Sequence, residues 1–374
     1  MSVYRTLVRP LLFRIDPERV HHLTTIACQI AGHMPPVLNA VDKLFGTEPD
    51  PRLATTVLGI RFSNPVGLSA GYDKTGKTPA VLSRMGFGYI DIGSVSRWPS
   101  PGNAGRPRLF RLPADDVLVV NYGVPSDGAE AVARRLALKP SRVPIGVTLV
   151  ETNTGKAADA SDVIEEIAAA FEPFRGTVDM LFISAFCPNE TSGSRPFADL
   201  DNLRRLFEAL GRIPDLPPVV LKIKAYGEQI GRIIEIATPF PFVKGFLPSV
   251  APAKPYVGLR TPAAEFEHLP GTATGPYSKP HLLNDMREWY TRIDPARHII
   301  IANGGIRSGA DAYAAIRAGA SLVGLVTALV YQGPGIARRI NRELSALLQR
   351  DGFATVAHAV GVDAPQRKGV LQAG

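Results

Sequence analysis

One cysteine stands where a general base would be useful. Cys187 directly follows the apolar run Met180–Phe186 and precedes Pro188, which restricts the backbone. A thiolate can remove a proton from a substrate, because the ordinary cysteine pKa of about 8.5 lies close to neutral pH. A lone cysteine is more often a small buried hydrophobic side chain. The role of base therefore depends on what surrounds Cys187.

Two lysines occupy positions where a positive charge suggests a function. Lys74 lies in the stretch 71–76 after the apolar run Pro65–Ala70, and its ammonium could neutralise an anionic cofactor or substrate. A solvated lysine in a turn is the alternative. Lys222 lies inside the apolar run Val219–Lys224, where burying a lysine without a partner is costly. We therefore expect a functional role for Lys222.

A Gly-Gly pair follows another apolar run near the C-terminus. Gly304 and Gly305 come after Ala302-Asn303, and the next run ends in Leu325-Val326-Thr327. Glycine lets backbone N–H groups approach a phosphate closely. A Gly-Gly turn also often does no more than end a strand, so its place in the fold decides between the two interpretations.

Apolar runs alternate with helical stretches from residue 64 onward, and these elements must position the residues above. Several runs are continuously apolar, as expected of parallel strands covered by helices. Helical stretches such as 158–174, 201–210 and 310–318 fall between them. The eight candidate strands are Pro65–Ala70, Tyr89–Val95, Pro144–Val150, Met180–Phe186, Val219–Lys224, Phe242–Pro248, His298–Ala302 and Ser321–Thr327.

Eight βα units predict an α/β protein with a closed (β/α)₈ TIM barrel, and a doubly wound parallel sheet is the alternative. The active site of such a barrel lies at the C-terminal ends of its strands, and the loops after strands seven and eight frequently bind phosphate. Cys187, Lys74 and the Gly304-Gly305 pair all follow candidate strands. The barrel order therefore favours a phosphate site at the glycines.

The N-terminal segment predicts a helical extension. One amphipathic helix runs from Tyr4 to Ile15, and a second begins after Asp16-Pro17, where aspartate can cap a helix and proline suits its first turn. Pro35-Pro36 then breaks the pattern. The helices could rest on a membrane surface or pack on the barrel as a hairpin, and periodicity does not decide. We divide the chain into a helical segment, 1–45, and a barrel, 46–374.

The composition narrows the function classes. The 374 residues carry a formal net charge of +8, which permits attraction to phosphates or an anionic membrane surface. Basic and acidic residues are interleaved, so we expect no nucleic-acid partner. The two cysteines, Cys28 and Cys187, form no CxxC pattern and HExxH is absent, which favours a reducing, cytoplasmic setting and predicts no metal site. No apolar run reaches the roughly 18 residues needed to cross a bilayer.

Motifs spread over nearly the whole chain resemble one known family, the class 2 (quinone-dependent) dihydroorotate dehydrogenases. The matching stretches include Arg9–Phe13, Asp16–His22, Asn64–Leu68, Gly71–Lys74, Gly86–Gly88, Pro101–Asn103, Arg106–Pro113, Gly304–Ile306, Ile316–Val323 and Gly333–Gly335. The resemblance implies an FMN-dependent flavoprotein oxidoreductase of pyrimidine biosynthesis. Hydride passes to the flavin from a dihydropyrimidine-like substrate while a base takes the second proton.

The resemblance also implies roles for particular parts of the chain. Electrons leave to a quinone that enters through segment 1–45, and Arg111 matches the arginine near that tunnel. This implies a peripheral place on the inner face of the cell membrane. Cys187 and Lys74 become the catalytic residues. The cofactor-binding positions are Ala70, Gly71, Lys74, Ser94, Thr148, Ser184, Lys222, Ser249, Gly275, Gly304, Gly305, Val326 and Thr327.

Several asparagines of the family pocket are replaced in this chain. Thr148 and Ser184 stand where the family has asparagines that contact flavin and substrate. On the sixth strand Val250 replaces a substrate-binding asparagine. Gapless alignment puts Val120 at another, whereas a one-residue slip restores Asn121, and the sequence does not choose. The predicted substrate-binding residues are Lys74, Val120, Asn121, Asn189, Val250 and Ala251.

These replacements lead to three hypotheses. Each hydrogen bond lost to a buried ligand group costs about 1–3 kcal/mol, so a more apolar pocket predicts a flavin oxidoreductase with a substrate other than dihydroorotate. An authentic dihydroorotate dehydrogenase with an unusual pocket is the second, and a catalytically silent binding homologue is the third. Cys187 argues against the third, because it keeps a base where class 2 members have serine and the soluble class 1 members have cysteine.

Overall fold

The structure is a computed structural model, and it describes residues 3–138, 141–186, 195–250, 252 and 254–365. Cys187, Asn189 and Ala251 lie outside the described residues. The roles expected of these three residues therefore stay predictions.

The strands of the described residues follow the predicted order closely. In chain order they are β1 (Thr55–Val57), β2 (Ile60–Phe62), β3 (Val66–Leu68), β4 (Tyr89–Val95), β5 (Leu109–Leu112), β6 (Val117–Val120), β7 (Ile145–Leu149), β8 (Met180–Ser184), β9 (Val219–Ile223), β10 (Val243–Pro248), β11 (Thr272–Thr274), β12 (Ile299–Asn303) and β13 (Leu322–Leu325).

Eight of these strands close into a barrel in the order β10-β12-β13-β3-β4-β7-β8-β9. Every neighbouring pair is parallel. Each barrel strand overlaps one of the eight predicted runs, with ends that differ by two residues at most, which confirms the (β/α)₈ barrel. The doubly wound sheet is wrong, because β10 and β12 pair and leave the barrel no open edge.

Side chains fill the interior of the barrel because successive residues of a strand point to opposite faces. Alternate side chains face the interior and the surrounding helices. Tyr89 points inward and meets Phe62 of β2 edge to face, with 6.0 Å between ring centroids. Ile90 and Ile92 belong to the cluster that packs beneath the helices, and both are fully buried. Such burial stabilises the fold by about 1.5–3 kcal/mol for each large side chain.

The helices include those predicted between the strands. In chain order they are α1 (Arg9–Leu12), which continues a π-helical turn at Tyr4–Val8, α2 (Pro17–Ala31), α3 (Pro35–Phe45), α4 (Pro79–Leu82), α5 (Ala129–Ala137), α6 (Ala160–Phe171), α7 (Leu200–Leu210), α8 (Glu228–Ala237), α9 (Ala263–Phe266), α10 (Lys279–Tyr290), α11 (Gly309–Arg317), α12 (Thr327–Gln332) and α13 (Ile336–Arg350).

The N-terminal helices begin where the sequence predicts but include one more element. The Asp16 carboxylate accepts a hydrogen bond from the Arg19 backbone N–H at 2.9 Å, and Pro17 opens α2. Pro35 and Pro36 do not simply end the helical pattern. They lie in the first turn of α3, where a missing N–H and a fixed φ are tolerated.

One face of the N-terminal segment packs against the barrel. The Tyr4 hydroxyl donates to the Val330 carbonyl at 2.7 Å, and Arg9 donates to the Tyr331 carbonyl at 3.2 Å. Helix α2 is tied down by an ion pair between Glu18 and Arg108 at 2.8 Å. This face of the segment therefore packs on the barrel, which is one of the two alternatives that the periodicity leaves open.

The other face of the segment carries apolar side chains that remain in contact with solvent. Six aliphatic side chains on it are more than half exposed, namely Val3, Leu7, Leu11, Leu23, Ile30 and Leu44. Single exposed apolar residues are normal on a protein surface, but six of them within one segment of about 40 residues mark a candidate interaction surface. Among the described helices, none is long and apolar enough to cross a membrane.

A small antiparallel sheet of β11, β6 and β5 covers one side of the barrel mouth. Val120 ends β6 and pairs with Leu109 on one side and Thr272 on the other. The sequence analysis missed this sheet. Its three short strands position Val120 and, directly after β11, Gly275.

Candidate active site

A cavity of about 500 Å³ lies at the C-terminal ends of the barrel strands. Lys222, Ser249 and Gly304 line its inner end, and His21 and Thr24 of α2 line its outer end. The barrel and the N-terminal helices thus share one cavity. This volume suits a ligand of cofactor size.

Lys74 lines the cavity from the turn after β3. Its ammonium donates to the Gly71 carbonyl at 2.5 Å and lies 4.5 Å from the centroid of the Tyr122 ring. Burial lowers the pKa of Lys74 to about 8, against the opposing attraction of Asp73. The turn is held by the Asp73 carboxylate, which accepts from the backbone N–H groups of Thr75 and Thr78. The lysine therefore presents a positive charge to the cavity from a rigid loop.

Lys222 presents a second positive charge at the inner end. It lies on β9 in register with Ser184 of β8. Within the part of the chain that the structure describes, its ammonium has no hydrogen bond, although it lines the cavity. A half-buried cation that faces a cavity is available to an acceptor atom of a bound ligand.

The glycines predicted near a phosphate line the opposite side of the cavity. Gly304 and Gly275 adopt φ of 132° and 128°, and Gly305 adopts 71°, values that favour glycine. Helix α12 begins at Thr327, whose hydroxyl meets that of Thr274 at 2.9 Å. Backbone close to the cavity, two lysines and hydroxyl groups form a donor set that fits the isoalloxazine edge and phosphate of FMN.

The remaining predicted cofactor positions divide into two groups. Those that line the cavity are Ala70, Gly71, Ser94, Ser249, Gly305, Val326 and Thr327. Thr148 and Ser184 are buried but are not among the cavity-lining residues of the described chain. The Thr148 hydroxyl lies 2.7 and 2.8 Å from the two carboxylate oxygens of Asp91, and the Ser184 hydroxyl donates to the Phe186 carbonyl. Both hydroxyl groups therefore bond to protein rather than face the cavity.

Val120 and Asn121 lie differently with respect to the cavity. Val120 lines the cavity, and so does Val250. Asn121 is not among the cavity-lining residues described, and its side-chain oxygen accepts from Asn103 at 3.0 Å. Val120, and not the Asn121 side chain, therefore forms part of the cavity wall, while the correspondence of either residue to the family asparagine stays a prediction.

Tyr122 lines the cavity, and Arg108 and Asp91 lie near it, although the sequence predicts no role for any of the three. The Tyr122 ring lies against both Lys74 and Arg108, with the Arg108 guanidinium 5.4 Å from the ring centroid. Its hydroxyl is buried without a hydrogen-bond partner among the described residues. Asp91 is an acid within an apolar strand, a pattern that does signal a buried polar group. Nothing in the sequence distinguishes Tyr122.

The outer end of the cavity contains the predicted tunnel arginine. Arg111 donates to the carbonyls of Leu12 and Ile15 at 3.3 and 2.9 Å, and its guanidinium lies 4.4 Å from the Phe13 ring centroid. Burial, together with the positive charge of nearby Lys74, lowers the pKa of His21 to about 4. The imidazole is therefore neutral at physiological pH. Among the described residues, no cluster of three or more His, Cys, Asp or Glu is placed to hold a metal ion.

A (β/α)₈ barrel with lysines and glycines around a cavity at its C-terminal face is an arrangement that flavin-dependent oxidoreductases share with other barrel enzymes, and the comparisons with known proteins identify the class. The family model for dihydroorotate dehydrogenase matches residues 52–348. The chain therefore belongs to the dihydroorotate dehydrogenase family and is an oxidoreductase that acts on CH–CH bonds.

Full-length relatives agree with this assignment. A protein of Acidithiobacillus ferrooxidans named dihydroorotate dehydrogenase (quinone) is 39% identical over 372 residues, which cover 95% of this chain and 98% of that protein. A protein of the same name from Halobacterium salinarum is 36% identical over 360 residues, covering 96% and 99%. The crystal structure of ligand-free DHODH from Eimeria tenella is similar with a TM-score of 0.80 at 27% identity, covering 94% of this chain and 100% of that one.

Proposed function

We propose that this protein is an FMN-dependent oxidoreductase whose substrate is less polar than dihydroorotate. It would oxidise, or in reverse reduce, a C–C bond next to a carbonyl group. The observation that carries the proposal is that two valines, Val120 and Val250, line the cavity. The resemblance puts Val250, and in its gapless form Val120, where the family has asparagines. Valine offers no hydrogen bond to the polar edge of an orotate ring.

The magnitude supports a change of substrate. Each unsatisfied polar group of a buried ligand costs about 1–3 kcal/mol, which corresponds to roughly a fivefold to a 150-fold loss of affinity. Two such losses together reduce orotate affinity by about 25-fold or more. An apolar group in the same place would instead gain from contact with Val120 and Val250.

The residues of this chain divide the work of the proposed reaction. Bound FMN would supply a hydride acceptor. Lys74 and Lys222 hold electron-rich atoms in the cavity, and the backbone at Gly304 and Gly275 leaves room for a phosphate. Cys187 is the proposed base that removes the second proton from the adjacent carbon.

A quinone is the proposed electron acceptor, and a membrane surface is the proposed place of encounter. The shared cavity opens toward the N-terminal helices, whose outer face exposes Leu11 and Leu23. We expect the protein to lie on the inner face of the cell membrane. In flotation with vesicles of phosphatidylglycerol and phosphatidylcholine, Leu11→Glu with Leu23→Glu should abolish binding. The control Leu138→Glu, at an exposed leucine of the barrel, should bind as wild type does.

An authentic dihydroorotate dehydrogenase is the second candidate, favoured by the names of the full-length relatives. Anaerobic mixing of the purified flavoprotein with dihydroorotate and then with a panel of less polar carbonyl compounds separates the two. Rapid reduction by dihydroorotate, or growth rescue of a strain lacking that enzyme, would establish the second candidate. A colourless protein without a flavin absorbance band would count against both candidates.

The base has a test of its own. Cys187→Ser should slow flavin reduction and move its pH dependence upward, because a serine hydroxyl is a much weaker acid than a thiol. An unchanged rate would exclude Cys187 as the base.

A further inference from the structure

A buried acid lies directly beneath the cavity. Asp91 is on the inward-facing side of β4, two residues after Tyr89, and is 3% exposed. Burying a carboxylate in a barrel interior is costly unless partners compensate the charge. The proposed reaction does not use Asp91, so its presence needs another reason.

The hydrogen bonds of Asp91 suit both of its charge states. The Ala70 backbone N–H donates to one carboxylate oxygen at 3.2 Å. The Thr148 hydroxyl lies within hydrogen-bond distance of both oxygens, at 2.8 and 2.7 Å. A hydroxyl has one hydrogen but also accepts, so Thr148 donates to the carboxylate and can accept from the carboxylic acid. The pair therefore tolerates arrival or loss of a proton without rearrangement.

The charged surroundings of Asp91 connect it to the cavity. Tyr89 on the same strand is neutral, and Lys222 on β9 is the cation whose charge acts on Asp91. Burial raises the pKa of Asp91 to about 7, although Thr148, Ala70 and Lys222 all lower it. No other charged partner acts on Asp91 within the residues that the structure describes. Ala70 and Lys222 both line the cavity.

We propose that Asp91 is a positioning residue of the cofactor site, which takes up one proton when negative charge arrives in the cavity above it. The inference rests on the proposed binding of FMN. Hydride transfer brings two electrons and one proton, and so adds one negative charge to the cavity. The Asp91 carboxylate then takes one proton from solvent and becomes a neutral acid. Lys222 lines the cavity and its charge acts on Asp91. It therefore faces one negative charge in both states: the Asp91 carboxylate before hydride transfer and the added charge in the cavity afterwards.

The test is the midpoint potential of the FMN-loaded full-length protein, measured by dye equilibration from pH 5.5 to 8.5. Below its pKa of about 7, Asp91 is protonated before and after reduction, so it contributes no proton uptake to the pH dependence of the potential. Above that pH, reduction takes up one additional proton, so the midpoint potential falls more steeply with pH. The additional slope is about 30 mV per pH unit, which is a factor of ten in the equilibrium constant for two electrons. Asp91→Asn should lose this steeper part.

Two further variants keep the result interpretable. Thr148→Val removes a hydroxyl that stabilises the carboxylate, so the steeper part should begin at a higher pH. Asp285→Asn is the matched control, because burial raises the pKa of Asp285 to about 6 but this residue does not line the cavity. Its profile should match that of wild type.

The outcomes separate the two proposals. If Asp91→Asn folds and keeps the steeper part, or if Thr148→Val leaves its onset unchanged, Asp91 does not have this role. If Asp91→Asn fails to fold, the onset in Thr148→Val decides. If wild-type protein binds no FMN, the proposed function itself is wrong.

Discussion

The ion pair between Glu18 and Arg108 offers the sharpest test of how the N-terminal helices are held. Glu18 lies in the first turn of α2, and its carboxylate accepts from the Arg108 side chain at 2.8 and 3.2 Å. It also accepts from the Arg108 backbone N–H at 3.3 Å. The two side chains are only 8% and 10% exposed. Glu18→Gln keeps the shape of the side chain and removes its charge.

The expected loss follows from burial. Removing one partner of a buried ion pair leaves the other charge uncompensated and costs about 3–5 kcal/mol. An exposed pair contributes about 0–1 kcal/mol, because water screens it. The pair of Asp42 and Arg142 is such a case, since it also joins an N-terminal helix to the barrel but is 42% and 52% exposed. Glu18→Gln should therefore lose several times more stability than Asp42→Asn.

Urea unfolding followed by circular dichroism measures both losses in the full-length protein. Arg108→Met combined with Glu18→Gln should recover part of the loss, because no buried charge then stands alone. The reasoning is refuted if Glu18→Gln costs no more than Asp42→Asn. It is also refuted if the double variant is no more stable than Glu18→Gln alone.

Three other predictions concern the cavity. Gly305→Ala should weaken FMN binding and lower the unfolding midpoint, because its Cβ would lie 2.8 Å from the Lys279 backbone N; Gly155→Ala, also at positive φ but in open space, should show only the cost of strain. The folded-state pKa of Asp91, about 7, exceeds the unfolded value of about 3.9. Its contribution to stability is therefore lost as pH rises through 7, and Asp91→Asn should gain stability relative to wild type between pH 5 and 8 in urea titrations. Val250→Asn should raise orotate affinity about tenfold in calorimetry, and no change would contradict the assigned pocket.

The barrel was predictable because its signal is repeated. Eight apolar runs, each followed by a helical stretch, determine the strand order even though single boundaries shift by a residue or two. The short strands β5, β6 and β11 were not predictable, because three or four residues carry too little periodicity. The pairing of β6 with β11 also joins segments about 150 residues apart, since Val120 pairs with Thr272.

The site was predictable only in part. Residues that follow strands, such as Lys74 and Gly304, line the cavity as their place in the chain predicts. Which of Val120 and Asn121 lines the cavity depends on strand register, which a one-residue slip reverses and which the sequence does not give. In the structure Val120 pairs with Thr272 and lines the cavity. Contacts between distant segments, such as the Tyr122 ring with Lys74, have no local signature.

The cavity has walls from two parts of the chain, and this constrains how the protein can be altered. His21 and Thr24 belong to α2, whereas Lys222 and Gly304 belong to the barrel. A chimera joined near residue 45 would take its helices from one relative and its barrel from another. The two walls of its cavity would then come from proteins in which each wall faces a different partner. Substitutions on either side of that junction should therefore be compatible only in matched pairs, so productive exchange requires the helices and the strand-end loops to be transferred together.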